Sequence, residues 1–404
     1  MKIVVLKFGG TSVGTIEKIK KVTDIIIEHK KKKNKVIVVS SAMSGVTNDL
    51  IKKSKQISNN FIDSEYDVLV SSGEQVACSL IAGRLNHKGF KSRSWLGWQI
   101  PIFTNGPYTN SRIQQVNKNK LLRFLKEGGI PIITGFQGIN INERVTTIGR
   151  GGSDASAIMI AKSFKAQRCI IYTDVEGVYT TDPNKLKKAK KIKVISYEEM
   201  LEMASLGAKV MQPVSIQDAR LNRINIEVKS SFIKKPGTLI TKRTNLNNNR
   251  IITGISSTHN DAKVTLVGVK DRPGVAASIF KPLSINSINV DMVVQNISPN
   301  GKETDLTFTI KAESLNKTKK IIQENKSIKF KKVLFQKGVS KISIIGVGMI
   351  TTPGVTFRMF QALANKKINI QVISTSEIKI SVLINKKDAK KALATLHKEF
   401  KLQE

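Results

Sequence analysis

The chain has 404 residues, 40% of them hydrophobic, a length that predicts two or three domains and an apolar fraction that excludes wholesale disorder. Its 67 Lys and Arg against 30 Asp and Glu give a charge of +37. The basic residues are mostly Lys, spread over the whole length, and only 5% of residues are aromatic, so no specific nucleic-acid partner is expected, only salt-sensitive adhesion to polyanions. No apolar run nears the roughly 18 residues of a membrane span, and the start MKIVVLKFGG lacks a signal peptide's apolar region.

In chain order, Ile3 to Phe8 reads as a strand, followed by Lys7-Phe8-Gly9-Gly10-Thr11-Ser12. The two glycines let backbone approach a phosphate, with Lys7 as a point charge beside it. The Lys precedes the glycines, so this is not a Walker A loop, and no Gly-x-Gly-x-x-Gly fingerprint stands here. Thr15 to Lys31 carries Ile16, Ile19, Val22 and Ile26 at helical spacing. Val36 to Ser40 is a strand, and the loop through Ser41 to Thr47 offers hydroxyls and N–H groups before a helix over Val46 to Ile57. Thr47 reads equally as that helix's N-cap. Ser71-Ser72-Gly73-Glu74-Gln75 opens a helix over Glu74 to His87, where Glu74 either binds a ligand or only complements the helix dipole. Ile130 to Thr134 is a strand.

Arg150-Gly151-Gly152-Ser153-Asp154-Ala155-Ser156-Ala157 is a Gly-rich turn opening into a helix over Ser153 to Phe164. Ser153 or Asp154 is placed to cap that helix, so its first N–H groups and the Arg150 fork suit an anion. An ordinary strand-to-helix turn would read the same way. Cys169 to Thr173 is a strand, and the stretch from Tyr172 to Pro183 mixes carboxylates, hydroxyls and an aromatic suited to a nucleotide and metal. The alternation predicts an α/β domain with a largely parallel sheet covered on both faces, with ligands at the carboxyl ends of strands. Cys78 and Cys169 sit in apolar contexts and predict buried thiols in a reducing cytoplasm. The four histidines show no metal-ligand spacing, so no metal site built from the protein alone is expected.

After a last strand at Thr238 to Thr241 the composition turns polar, up to the Asn run at 245–249. Beyond it residues 273–296, PGVAASIFKPLSINSINVDMVVQN, recur at 353–376 as PGVTFRMFQALANKKINIQVISTS, an offset of 80. Each copy reads as strand, Pro-Gly turn, helix, strand, predicting paired modules that bury a common face.

KFGGTSV, VSSAMSGVTN, SSGEQ, GFQG, TTIGRGGSDASA, IYTDVEGVYTTDP, SYEEMLEMASLGAKVMQ, PGVAASIF, NVDMVVQN, TDLTFT and INIQVISTSEIKISV occur in that order over essentially the whole chain. Together they resemble the aspartate kinase family, in its short monofunctional class. The resemblance implies a three-layer α/β/α amino-acid-kinase sandwich followed by two ACT domains of ferredoxin-like βαββαβ fold: residues 1–232 catalytic, 233–260 a linker, 261–337 and 338–404 the ACT pair. It implies transfer of a phosphoryl group from ATP, with Mg²⁺ held mainly by the phosphates, to the β-carboxylate of L-aspartate, at the entry to lysine, threonine and methionine biosynthesis.

By the same resemblance Lys7 neutralises the transferring phosphoryl group and Asp154 organises the site. Arg150 pairs with a substrate carboxylate and Glu74 with the α-ammonium, alongside Thr47, Gly151, Gly152 and Ser153. ATP falls to Lys7, Phe8, Gly9, Gly10, Ser41, Thr173, Asp174, Tyr179, Thr180, Thr181, Asp182, Pro183, Asn184 and Lys209. Lysine, threonine or both are expected as effectors at Asp271, Ala276, Asp291 and Gln295 in the first copy and Asn369, Ile370 and Ser376 near the second. Ser72 stands where the family commonly has Thr, and Asn184 where many members have Arg. A silent amino-acid sensor would require loss of Lys7, Glu74, Arg150 or Asp154, and a glutamate-type kinase would lack the ACT repeat. A fusion to homoserine dehydrogenase is not expected, since the chain stops at Glu404. No Met near residue 250 offers an internal start, so a homo-oligomer is expected, most simply a dimer through ACT domains.

Overall fold

The computed structural model describes residues 2–207, 210–242, 250–297, 303–325 and 328–404. They divide into two compact units, Met1–Val178 with Lys191–Asn247, and Tyr179–Lys190 with Asn248–Glu404.

The first unit runs β1 (Ile3–Phe8), α1 (Ile16–Lys31), β2 (Lys35–Ser40), α2 (Val46–Ile57), α3 (Asp63–His87), β3 (Ser92–Trp95), β4 (Ile102–Asn105), β5 (Arg112–Val116), α4 (Asn119–Lys126), β6 (Ile130–Thr134), β7 (Gln137–Ile139), β8 (Val145–Thr147), α5 (Gly152–Ser163), β9 (Arg168–Thr173), β10 (Val194–Ser196), α6 (Tyr197–Ser205), α7 (Pro213–Asn222), β11 (Ile226–Ser230) and β12 (Thr238–Thr241). Eight strands form one sheet in the order β10-β12-β11-β9-β1-β2-β6-β3, parallel except between β11 and β12. A central parallel strand is covered on both faces, and β1 is accordingly buried at every position and apolar at all but Lys7. Val4, Leu6 and Phe8 pack with Ile19, Val22 and Ile26 of α1 and Ala77, Ile81 and Leu85 of α3, while α5 lies against the opposite side of β1, β2 and β9. Phe8 stacks on Tyr172 at 4.9 Å, and the Tyr172 hydroxyl lies 2.9 Å from His29 Nε2. A smaller sheet, β5-β4-β7-β8, stands beside the main one.

The second unit holds β13 (Gly254–Lys270), α8 (Val275–Ile285), β14 (Val290–Ile297), β15 (Glu303–Lys311), α9 (Leu315–Glu324), β16 (Lys332–Ile345), α10 (Val355–Ala364), β17 (Ile370–Ser376), β18 (Lys379–Asn385) and α11 (Ala389–Glu399). Its antiparallel sheet runs β14-β15-β13-β16-β18-β17. The register explains how the two repeats interlock. Asp261 to Lys270 of β13 pair with β15 in the first repeat, whereas Gly254 to Thr258 of the same strand pair with Lys341 to Ile345 of β16 in the second. The second repeat thus draws its remaining strand from residues that precede the first.

Each repeat has its own apolar core: Ile279, Leu283, Phe308 and Ile322 in one, Met359, Leu363, Val382, Leu393 and Leu396 in the other. β14 and β17, at opposite edges of the sheet, also touch, and Met292, Val339, Val372 and Leu383 cluster there.

Two expectations shift. Residues 233–260, expected as a linker, carry β12 in the catalytic sheet and the first part of β13, because both segments complete sheets. Residues 179–190, expected with the catalytic domain, group with the repeats: Thr180 accepts from the Ile255 N–H at 2.7 Å, its hydroxyl lies 2.9 Å from His397 Nε2, and Leu186 packs on the second core.

Candidate active site

The carboxyl ends of four adjacent strands are latched to one another. Gly9 N–H donates to Tyr172 C=O (3.1 Å), Ser41 N–H to Phe8 C=O (3.0 Å), and Gly135 N–H to Ser40 C=O (3.0 Å). Side chains are small where these loops converge: a Cβ on Gly10 would sit 3.0 Å from the Ala42 carbonyl oxygen. Above the ends opens a cleft of about 680 Å³. Lys7, Gly10, Ser41, Thr47 and Glu74 line it from β1, β2, α2 and α3, and the run Arg150 to Asp154 closes it from the start of α5.

Gly151 caps α5 at φ 79°, a left-handed conformation that a side chain would strain, and no side chain caps the helix. The expected Ser153 or Asp154 cap is therefore replaced by the glycine. Both residues lie in the first turn, and Asp154 Oδ1 is 2.6 Å from Lys7 Nζ, with both side chains about nine-tenths buried. A lysine at a strand end and a carboxylate at a helix N-terminus make a compact charge pair facing the cleft, where water competes weakly and charges act strongly. Arg150, by contrast, is exposed and makes no ion pair among the described residues, leaving its planar fork free for a carboxylate.

Glu74 is not at a helix start, as the sequence suggests. It lies midway along α3, because the helix begins at Asp63 and Gly73 lets the Ala42 and Val46 side chains pack closely against it. Glu74 Oε1 accepts from the Ala42 N–H at 3.1 Å, while Oε2 is buried with no hydrogen-bond partner. Burial pushes its pKa up to about 7. Two turns earlier on the same face, Asp67 is fully buried. It accepts from the Thr109 N–H and from both the N–H and hydroxyl of Thr147, two residues that line the cleft, and burial still holds its pKa above the ordinary value. Sequence reasoning passed over Asp67; its seven-residue spacing from Glu74 was the available signal.

The other candidates scatter. The Phe8 ring is in the core, and Thr173 ends β9 with Asp174 directly after it, both outside the cleft lining, Thr173 Oγ1 donating to Asp174 Oδ1 at 3.1 Å. In the second unit Thr180 and Thr181 are buried, Tyr179 is half-buried, and Asp182, Pro183 and Asn184 are exposed. Lys209 lies outside the described residues. Asp271 and Ala276 flank the start of α8, and Gln295 is exposed on β14. Asp291 pairs with Lys341: burial pulls its pKa up, but the Lys341 hydrogen bond and charge outweigh it and hold the carboxyl below the ordinary value. Asn369, Ile370 and Ser376 mark the two ends of β17. Among the described residues no group of three His, Cys, Asp or Glu is arranged to hold a metal ion, and no helix is long and apolar enough to cross a membrane.

Residues 2–230 match the amino acid kinase family, and residues 264–325 and 342–400 each match the ACT domain. An aspartokinase of Geobacillus stearothermophilus is 42% identical over 404 residues, covering all of this chain and 98% of its own length. An aspartokinase of Helicobacter pylori is 42% identical over the full length of both chains. Among solved structures, aspartokinase III of E. coli in complex with lysine and aspartate (T-state) superposes over 99% of this chain with a TM-score of 0.82 at 25% identity, and the same enzyme with aspartate and ADP (R-state) with 0.79.

Fold and cleft together define a kinase of the amino acid kinase family that carries ACT domains. Within that class, the full-length identity is decisive: the chain belongs to the aspartokinase family.

Proposed function

We propose that this enzyme transfers the γ-phosphoryl group of ATP to the β-carboxylate of L-aspartate, giving 4-phospho-L-aspartate and ADP. The observation that carries the reading is the unpartnered, buried Oε2 of Glu74 in the cleft that also holds the Lys7–Asp154 pair. An amino-acid ammonium supplies the proton donor that oxygen lacks, and Arg150 takes a carboxylate of the same molecule. One oxygen of the β-carboxylate attacks the γ-phosphorus while the bond to the β,γ-bridging oxygen breaks and ADP leaves with that electron pair. A carboxylate is already a nucleophile, so no general base is needed, and catalysis is positioning and electrostatics. Lys7 neutralises charge as it spreads over the transferring group, and Asp154 fixes the direction of the Lys7 ammonium. Gly9, Gly10 and Ser41 let backbone and hydroxyl approach the phosphates.

Exposed Asp174 is the proposed nucleotide contact of the first unit that lies outside the cleft lining. Phe8 contributes through backbone and packing instead. Mg²⁺ prefers phosphate and water oxygens supplemented by one or two carboxylates, and Asp154, the carboxylate of the cleft beside Lys7, could serve as one of these; bound there the ion would neutralise phosphate charge.

The same reading places the enzyme in the cytoplasm, at the head of lysine, threonine and methionine synthesis. It is inhibited by lysine, threonine or both at the ACT repeats, and works as a homo-oligomer, most simply a dimer through those repeats. It is tested by ADP release with L-aspartate, L-glutamate and D-aspartate in parallel. Release dependent on L-aspartate alone supports the reading, and equal rates without an acceptor overturn it.

A further inference from the structure

Both tryptophans of the chain lie in one hollow of about 560 Å³, separate in its lining from the cleft above, between β3 and α4 in the first unit. Trp95 is 5% exposed, and its indole Nε1 is buried with no hydrogen-bond partner. An indole N–H can only donate, and a buried donor left unpaired costs about 1–3 kcal/mol, so a site that tolerates one invites an acceptor. The Arg93 guanidinium stacks 4.2 Å from the Trp95 ring centroid, and Phe124 meets that ring edge-on at 5.9 Å. Trp98 is 52% exposed on the same wall and offers an open aromatic surface.

Charge in the hollow is unbalanced. Arg93, Lys120 and Arg123 line it, and its one acid, Glu127, is taken by Lys91 at 2.6 Å. Neither Arg93 nor Arg123 makes an ion pair among the described residues, and Lys120 is engaged only with the Gln99 carbonyl oxygen at 3.1 Å. An aromatic surface, unpaired arginines and a buried lone N–H donor are the complement of a planar ring that carries acceptors and an anionic group.

We propose that this hollow is a second, non-catalytic site for a free nucleoside phosphate. Its base stacks on Trp98 and reaches Trp95 Nε1 with a ring or ribose acceptor, and its phosphate pairs with Arg123, Lys120 and Arg93. Base–aromatic stacking contributes about 1–3 kcal/mol and bidentate arginine–phosphate pairing adds orientation. The volume falls within the roughly 300–1,000 Å³ of small-molecule sites.

Because no tryptophan lies elsewhere, intrinsic fluorescence reads this hollow directly. AMP is titrated into the full-length chain, into Arg93→Gln/Arg123→Gln and into Lys7→Ala, with inorganic phosphate and a short oligonucleotide as parallel probes. The expected result is saturable quenching by AMP, weakened about tenfold or more in the double arginine variant, consistent with the loss of charge-assisted contacts, and unchanged in Lys7→Ala. The arginine variant retains wild-type turnover, which reports that it folds. The proposal is overturned by absence of quenching at millimolar AMP, by quenching lost in Lys7→Ala yet kept in the arginine variant, or by a response to the oligonucleotide alone.

Discussion

Lys7 Nζ and Asp154 Oδ1 lie 2.6 Å apart, one from the end of the central strand and the other from the first turn of α5. The contact joins the two Gly-rich turns that frame the cleft. An isolated charge buried at either position would carry a desolvation cost of several kcal/mol, so each stabilises the other in a place where neither would persist alone.

Lys7→Met and Asp154→Asn are each expected to lower kcat by about 10²-fold or more, the scale for losing one preorganised electrostatic contact to the transition state. Steady-state rates on variants with unaltered circular dichroism check this, and a near wild-type kcat in either would remove the pair from the mechanism.

Glu74 predicts a pH dependence with a definite sign. Its folded pKa of about 7 lies above the ordinary 4.5, so the folded state keeps a proton that the unfolded chain has lost between those values. The free enzyme is therefore progressively destabilised as pH rises from 4.5 to 7, and an ammonium ligand, which needs the carboxylate, offsets that loss. The KM for aspartate is expected to fall by up to about tenfold for each unit that pH rises toward 7 and to level off above it. Glu74→Gln abolishes the slope and weakens aspartate. A flat KM from pH 5.5 to 8 in the wild type contradicts the assignment.

Gly135 predicts a geometric effect at one remove. A Cβ there would stand 2.7 Å from Ser153 Cβ and 2.9 Å from Ser153 Cα, whereas one on Gly83, exposed on α3, meets nothing within 4 Å. Gly135→Ala is expected to displace the first turn of α5, costing about 1–3 kcal/mol in stability and ten- to a hundredfold in kcat. Gly83→Ala is expected to leave kcat unchanged and to raise stability by up to about 1 kcal/mol. Thermal unfolding and initial rates on the pair distinguish crowding at the site from a general effect of removing glycine.

The parts of this architecture legible in the sequence were those with local causes. The strands at Ile3–Phe8 and Thr238–Thr241 and the helix at Val46–Ile57 follow from apolar runs and 3.6-residue spacing, and the repeat at 273 and 353 announced paired modules. The start of α3 was missed because Asp63 to Ser72 is polar and small on the faces that pack, so its periodicity is weak. The sharing of β13 between repeats and the placement of 179–190 were invisible because both depend on pairing across more than 70 residues, on which no local pattern bears. The cleft's glycines and Lys7 could be read from motifs. Asp67 belongs to no motif: its spacing from Glu74 places it on the same helix face, but its role is set by the distant N–H groups of Thr109 and Thr147.

Regulation is expected to depend on Asp291. Its carboxylate is held by Lys341 within the same unit, so an effector lysine using Asp291 must compete with an ammonium already in place. Lys341→Met is expected to lower the lysine concentration for half-maximal inhibition several-fold, in line with couplings of about 1–3 kcal/mol between regulatory and active sites. Gln295→Ala and Ser376→Ala are expected to raise it. Inhibition curves for lysine, threonine and both together decide the effector, and weaker lysine inhibition in Lys341→Met would show that Asp291 does not receive the ligand's ammonium.

The central claim is that the β-carboxylate of aspartate is the nucleophile. It is tested most directly by incubating the enzyme with ATP, Mg²⁺, L-aspartate and hydroxylamine, which traps an acyl phosphate, and identifying the hydroxamate by mass spectrometry. The account predicts aspartyl β-hydroxamate in step with ADP, at a rate lost in Lys7→Met. ADP release without any hydroxamate, or a hydroxamate at the α-carboxyl, would contradict it.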